Sequence, residues 1–130
     1  MTVTGPPLSN EPLSREACLR LLDGADLARV VLSVRALPAA LPARICLVGD
    51  HLLLVSHEEA VLVAARRGDV ISVQIDGLEP DGSTWSVMTS GIPSGAASSD
   101  SLRAVMREAL DNGATLLSLP LSVVTGQRSR

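Results

Sequence analysis

Residues 52–76 read LLLVSHEEAVLVAARRGDVISVQID, and the order of patterns within them decides the predicted fold. An apolar run ends in a polar turn. A segment with acidic residues at its start and arginines at its end follows, and a second apolar run closes the stretch. Acids at the start and bases at the end of a helix complement the helix dipole, and Gly68 suits a helix stop. The stretch therefore predicts a strand, a helix over residues 58–67 and a return strand.

Apolar runs between turn-forming residues predict the other strands, and amphipathic spacing predicts the other helices. Residues 49–50 and 79–83 have compositions typical of hairpin turns, whereas residues 35–42 contain two prolines and predict a loop. Mostly antiparallel strands of this length favour closure into a small barrel. The sequence therefore predicts a mainly β fold with peripheral helices and six strands. The predicted helices are 14–23, 58–67 and 100–112, and the predicted strands are 27–34, 43–48, 51–56, 70–78, 84–90 and 115–125.

The length and charge of the chain limit its class. Its 130 residues predict one domain over residues 13–130, preceded by a flexible arm at residues 1–12 that holds three prolines. The net charge of −3 argues against a nucleic-acid partner. No apolar run reaches the roughly 18 residues of a membrane span, and the N-terminus lacks the pattern of a secretion signal. Cys18 and Cys46 form no ligand pattern and read as buried thiols, so we expect a cytoplasmic protein.

The composition is rich in aliphatic residues and poor in aromatic ones. Hydrophobic residues make up 46% of the chain, and Trp85 is its only aromatic residue. A small monomer with this much apolar surface would expose part of it to water. We therefore expect a second copy of the chain to cover that surface in a homodimer.

Four short segments carry a resemblance to a known family. They are PARI at 42–45, RRGDV at 66–70, WSV at 85–87 and VTGQR at 124–128. With these segments in this order, the chain resembles the FMN-binding split-barrel family typified by pyridoxamine 5′-phosphate oxidase, including its actinobacterial relatives that use FMN or a deazaflavin. The resemblance implies a split β-barrel, a homodimer with flavins in grooves at the subunit interface, and an oxidoreductase that acts by hydride transfer. Thr84 and Gln127 stand where the family usually has Gly and Arg.

The resemblance also implies where a flavin phosphate would bind. Such relatives usually hold it with an Arg and a Ser or Thr at the end of the third strand and a Lys on the following helix. These positions fall at Val55, Ser56 and Val61, so only the hydroxyl remains. A hydrogen bond to a charged group contributes roughly 1.5–3 kcal/mol, so the loss of two such partners costs about 3–6 kcal/mol. Glu58 and Glu59 add repulsion against a phosphate.

The candidate cofactor-binding residues are those that can supply a donor, a stacking surface or a replacement cation. They are Arg44, Ser56, His57, Trp85 and Arg128. Ser56 and His57 also fit a helix N-cap followed by an exposed turn residue, and Trp85 also fits core packing. Arg103 and Arg107 fit the solvated face of the last helix. No arrangement of side chains points to nucleophilic or acid–base catalysis by the protein itself.

Three functions follow from these residues. The first is a protein that binds FMN or a deazaflavin and acts as an oxidoreductase. The second is a cofactor-free dimeric module that keeps the fold for binding or structural purposes. A barrel that holds haem is a third, with His51 and His57 as the candidate axial ligands. The spacing of these histidines matches no metal-ligand pattern, so no metal site is predicted.

Overall fold

The structure is a computed structural model that describes residues 10–96 and 102–130. Within these residues it contains nine strands and three helices. In chain order they are β1 (Asn10–Pro12), α1 (Arg15–Asp23), β2 (Leu27–Val34), β3 (Leu37–Val48), β4 (His51–Ser56), α2 (Glu59–Arg67), β5 (Ile71–Leu78), β6 (Thr84–Gly91), β7 (Ser94–Gly95), α3 (Ala104–Asp111), β8 (Thr115–Pro120) and β9 (Val123–Ser129).

The strands form one antiparallel sheet in the order β1-β9-β6-β5-β2-β3-β4-β8-β7. The sheet curls strongly. The curl brings the end of β6 close to β8, although four strands separate the two in the sheet order. A Cβ atom placed on Gly91 of β6 would lie 3.2 Å from the Leu119 side chain of β8. The predicted mainly β, antiparallel fold with peripheral helices is therefore confirmed, but the predicted count of six strands is wrong.

The predicted loop at residues 35–42 is instead the start of β3. Arg35 and Ala36 form a two-residue turn with left-handed backbone angles, φ 50° and φ 63°, and β3 begins directly after it. Such turns match the twist of the paired strands, which is why they are common in hairpins. β4 pairs only with residues 44–48 of β3, so residues 37–43 have an open edge where proline is tolerated.

The predicted strand at residues 115–125 is two strands, since the chain turns at Leu121 and Ser122 between β8 and β9. β1 is a short strand within the segment predicted as a flexible arm, and β7 is a short strand that was not predicted. They add to the sheet at its two edges. Residues 1–9 of the predicted arm and residues 97–101 lie outside the described part of the chain.

The helices agree with their predicted positions to within a few residues. Ser14 caps α1, and its hydroxyl accepts a hydrogen bond of 3.1 Å from the backbone N–H of Ala17. α2 ends at Gly68, which has the left-handed conformation expected of a helix stop. α3 begins at Ala104, four residues after its predicted start, and residues 100 and 101 lie outside the described part. None of the described helices is long and apolar enough to span a membrane.

Two apolar clusters lie on opposite faces of the sheet. The main core fills the inner face and includes Val30, Ile45, Leu54 and Val61. The second cluster lies on the outer face, where α3 packs through Met106 over side chains of β3, β4 and β8. α3 thus covers only one half of the outer face.

Candidate functional site

The outer face of β2, β3 and β5 carries a row of side chains beyond the edge of α3. Pro42 on β3 pairs with Arg29 on β2, and Arg29 pairs with Gln74 on β5. Because directly paired residues point to the same side of a sheet, these three side chains share the outer face. They line a cavity of about 430 Å³, which we call the sheet cavity. The other lining residues are Leu27, Ala28, Ala40, Ile75 and Asp76.

A second cavity, of about 320 Å³, lies where this row meets α3, and we call it the α3 cavity. Arg44, Ser56 and His57 line it together, so three of the five candidate cofactor residues converge there. Its other walls are Leu27, Pro42, Ala43, Val55, Glu58 and Ala109. Leu27 and Pro42 line both cavities, so the two adjoin and form one cleft along the edge of α3.

The turn between β4 and α2 sets the positions of the polar groups in the α3 cavity. The Ser56 hydroxyl accepts a hydrogen bond of 3.0 Å from the backbone N–H of Glu58. Glu58 itself occupies the N-cap position of α2, and its carbonyl accepts the N–H groups of Val61 and Leu62. The interpretation of Ser56 as the N-cap of α2 is therefore wrong, because the N-cap is Glu58, two residues later. The turn thereby places Glu58 in the wall of the cavity.

Val55 and Val61 are both buried by packing, although Val55 also lines the α3 cavity. Val55 pairs with Arg44 across β3 and β4, but it is only 3% exposed because α3 covers it. Val61 is 0% exposed and belongs to the main core. A charged side chain in place of Val61 would lose its hydration inside the main core, and one in place of Val55 would be partly buried beneath α3, which is unfavourable in both cases. The packing therefore accounts for the apolar residues at both positions.

Trp85 and Arg128 lie away from the cleft. They are register partners on β6 and β9, and three strand spacings of about 4.8 Å, or roughly 14 Å, separate β6 from β3. The Trp85 ring covers Gly77, where a Cβ atom would overlap with the ring. The Arg128 guanidinium pairs with the Glu79 carboxylate at 3.3 Å. Within one copy of the chain, the structure does not bring these two candidates to Arg44.

Arg103 was predicted on a solvated face, and that prediction is wrong. Its guanidinium donates hydrogen bonds to the backbone carbonyls of Asp23, Ala25 and Ile45, at 2.9 to 3.0 Å. It also pairs with the Asp26 carboxylate at 2.6 Å. These contacts fasten the start of α3 to the segments that precede Leu27 and follow Arg44 in the wall of the cleft.

The histidines do not converge on one site. His51 and His57 lie at opposite ends of β4, six residues or about 20 Å apart. His51 pairs with the Asp50 carboxylate at 2.7 Å, and this hydrogen bond lowers the pKa of Asp50. No group of three metal-ligating side chains occurs among the described residues. Of the two candidate axial ligands for haem, only His57 therefore lies in the cleft.

A protein-family model matches most of the sequence. The family model described as pyridoxamine 5′-phosphate oxidase matches residues 14–118. The chain belongs to this family. The resemblance inferred from the four short segments is thereby confirmed. No curated protein matches the chain significantly.

Solved structures with the same fold agree with this family. An FAD-binding protein from Mesorhizobium loti aligns with a TM-score of 0.78 and 16% identity, over 95% of this chain and 99% of that one. An FAD-binding protein from Mycobacterium smegmatis aligns with a TM-score of 0.70 and 20% identity, over 94% and 100% of the two chains. An FAD- and haem-binding protein from the same organism aligns at 0.66 and 23% identity, over 87% and 70%. At these identities the likeness establishes the shared fold.

Sequence reasoning did not single out Arg29 and Gln74, which line the sheet cavity. Arg29 interrupts an otherwise apolar strand, and Gln74 alternates with the buried Val73 and Ile75. Polar residues at alternate positions of a strand mark its solvent face, and this signal was available in the sequence. What the sequence could not show is that β2 and β5 are neighbours, which places the two side chains opposite each other.

Proposed function

We propose that this chain binds a flavin nucleotide in the cleft and acts as an oxidoreductase by hydride transfer. The observation that carries the proposal is the junction of the two cavities, which brings Arg44, Ser56 and His57 next to the row of Pro42, Arg29 and Gln74. Membership of the pyridoxamine 5′-phosphate oxidase family and the FAD-binding proteins of the same fold support it.

The sheet cavity suits the ring system of a flavin. Its apolar residues, Leu27 and Pro42, offer a surface for a flat ring, and Arg29 and Gln74 offer donors for the polar edge of the ring. A cavity of about 430 Å³ lies within the usual range for small-molecule sites, which is roughly 300–1,000 Å³. When bound, the flavin would supply the hydride chemistry, and the chain would hold the ring and exclude water from one of its faces.

The α3 cavity suits the polar tail of a flavin less well than the sheet cavity suits the ring. Arg44 provides a cation, and Ser56 and His57 provide further polar groups in the cavity wall. Glu58 opposes an anion, and Val55 and Val61 supply no charge. We assign the ribityl chain and phosphate to this cavity, with Arg44 as their principal ionic partner.

The test is a titration of the purified protein with riboflavin, FMN and FAD. Trp85 is the only aromatic residue, so its fluorescence reports binding without interference from tyrosine. We expect saturable quenching with at least one flavin, and Arg29→Gln should weaken binding. The matched control is Arg20→Gln, which changes an exposed arginine on α1, outside the cleft. If none of the three flavins changes the fluorescence of Trp85, the proposal fails.

We also propose that the chain forms a homodimer through the uncovered half of the outer face. Leu27, Leu78 and Val123 are more than half exposed there, at 57%, 73% and 56%. Such a contact would place a second copy beside the cleft and would remove these side chains from water. Sedimentation at micromolar concentration should give the mass of a dimer, and Leu78→Asp should give a monomer. A monomeric wild-type protein would contradict this proposal.

The second candidate function is a cofactor-free dimeric module. The apolar filling at Val55 and Val61 and the carboxylate of Glu58 in the α3 cavity favour it. The same titration separates the two functions, because stoichiometric flavin binding excludes the cofactor-free module. For either function we place the protein in the cytoplasm, where the buried thiols of Cys18 and Cys46 stay reduced. Burial raises the pKa of Cys18, which keeps its thiol protonated.

A further inference from the structure

Arg103, the N-cap residue of α3, reaches from the start of the helix to the wall of the cleft. Its Nη1 atom lies 2.9 Å from the carbonyl oxygens of Ala25 and Ile45. Its Nη2 atom lies 3.0 Å from the carbonyl oxygen of Asp23, and its Nη1 atom also lies 2.6 Å from the Asp26 carboxylate. One guanidinium therefore joins three segments of the chain, namely the start of α3, the link between α1 and β2, and β3.

Each of these three segments contributes to the wall of the α3 cavity. Leu27 on β2 and Arg44 on β3 are register partners that line the cavity, and each is next in sequence to a residue that Arg103 contacts. Ala109 lines the cavity from α3 itself, more than one turn after Arg103. Arg103 is thus placed to set the distance between the helix and the two strands that enclose the cavity.

The apolar contacts of α3 hold the helix to the sheet but not to β2. The second apolar cluster packs Leu102 and Met106 against side chains of β3, β4 and β8. Among the described residues, this cluster includes none from α1, from β2 or from the link between them. The position of α3 relative to the start of β2 therefore depends on polar contacts, and Arg103 supplies three hydrogen bonds and an ion pair of that kind.

The sheet cavity does not depend on α3 in this way. Its lining residues all lie on β2, β3 and β5, and the row of Pro42, Arg29 and Gln74 is held by the pairing of these strands. A change at Arg103 should therefore alter the half of the cleft that adjoins α3 and spare the half that lies on the sheet.

We infer that Arg103 is a positioning residue for the tail of the flavin. It does not line the α3 cavity, but it fixes the walls of that cavity and thereby raises the affinity for the tail. This inference rests on the proposed function, because it concerns the ligand of the same cleft. The shape of the group matters as well as its charge, since a guanidinium offers five N–H donors in a fixed plane whereas a lysine ammonium is a compact point charge. Lysine should therefore not replace Arg103.

The test compares riboflavin, FMN and FAD with lumiflavin, which has the ring system but no ribityl tail. Their affinities are measured through Trp85 fluorescence in the wild type, Arg103→Ala and Arg103→Lys. We expect both variants to weaken the tailed flavins that bind the wild type by roughly three- to tenfold, which is the usual cost of ordering a loose segment on binding, and to leave lumiflavin unchanged. The matched control is Arg20→Ala, which removes an exposed arginine of α1 and should leave all affinities unchanged.

The guanidinium ion provides a second measurement. Arg103→Ala removes the group that three carbonyls and the Asp26 carboxylate surround, and a free guanidinium ion can take its place. At roughly 20 mM, far below the molar concentrations that unfold proteins, guanidinium chloride should restore the binding of tailed flavins to Arg103→Ala, and sodium chloride at the same ionic strength should not. An affinity lost through poorer folding would not be repaired in this way, because guanidinium destabilises the folded state.

The outcomes separate the inference from the proposed function. If either Arg103 variant binds the tailed flavins as tightly as the wild type, or weakens lumiflavin to the same extent, the inference is overturned and flavin binding stands. The same follows if the wild type binds lumiflavin as tightly as the tailed flavins or not at all, or if guanidinium restores nothing. If Arg103→Ala does not fold, the comparison with lumiflavin in Arg103→Lys decides. If no flavin binds to the wild type, the proposed function and the inference both fail.

Discussion

Thr89 offers a substitution that should stabilise the protein by removing a polar group. It lies in the middle of β6, where it pairs with Val73 on β5 and Val124 on β9. Thr89 is 0% exposed, and its Oγ1 atom has no hydrogen-bond partner within residues 10–96 and 102–130. Replacement by valine keeps the branched shape and exchanges the hydroxyl for a methyl group.

The magnitude follows from the two states of the hydroxyl. In the unfolded chain it is hydrated, whereas in the folded protein it is buried without a partner, which costs about 1–3 kcal/mol. The new methyl group adds up to about 0.8 kcal/mol of apolar burial. Small packing adjustments offset part of this gain, so we expect Thr89→Val to raise the free energy of unfolding by about 1–2 kcal/mol. For a domain of this size, the midpoint of thermal unfolding should rise by about 3–10 °C.

The assay is urea and thermal unfolding of both proteins at one fixed protein concentration, because a dimer would make the midpoint depend on concentration. Thr125→Val is the matched control, since Thr125 is exposed on β9 and the same exchange there should change stability by less than about 0.5 kcal/mol. An unchanged or lower stability of Thr89→Val would refute the reasoning. It would mean that the hydroxyl has a partner, such as an ordered water.

Three further substitutions test other features of the fold. Ala36→Gly should raise the free energy of unfolding by about 0.5–1 kcal/mol in urea titrations, because Ala36 has a φ of 63° that glycine adopts without strain. Gly77→Ala should lower it by about 1–3 kcal/mol and shift the fluorescence emission of Trp85, since the added methyl group would overlap with the indole ring. Arg103→Met should lower the free energy of unfolding by about 2–3 kcal/mol in the same titrations, because Asp26 loses its ionic partner and three backbone carbonyls lose their hydrogen-bond donor.

Local sequence patterns were sufficient to predict the elements that are stabilised by contacts among their own residues. α2 was predicted to within a residue because its acids, its arginines and Gly68 all act within one helix. The position of α1 was predicted for the same reason, since Ser14 caps it through a contact with Ala17 in its first turn. The hairpin at residues 49–50 was predicted because a glycine turn between two apolar runs needs no information from elsewhere in the chain.

The start of β3 could not be predicted because its signals point the other way. Pro38 and Pro42 argue against a strand, and neither Arg35 nor Ala36 is typical of a turn with positive φ. The strand forms because its partner β2 supplies pairing over eight residues while the other edge stays open. A sheet edge is a property of the assembled fold, so proline could not be judged at these positions from the sequence alone.

The position of α3 explains why the cleft could not be found from sequence alone. Arg44 and Cys46 are two residues apart on β3 and therefore share the outer face, yet Arg44 is exposed and Cys46 is buried. The difference arises because α3 packs over Cys46 and stops short of Arg44, with Arg103 fastening its first residues in place. The same edge of α3 buries Val55 and makes one wall of the α3 cavity. Ser56 and His57 line a cavity only because the edge of α3 lies beside an uncovered part of the sheet. The position of α3 depends on the contact between Arg103 and Ile45, which are almost 60 positions apart in the chain.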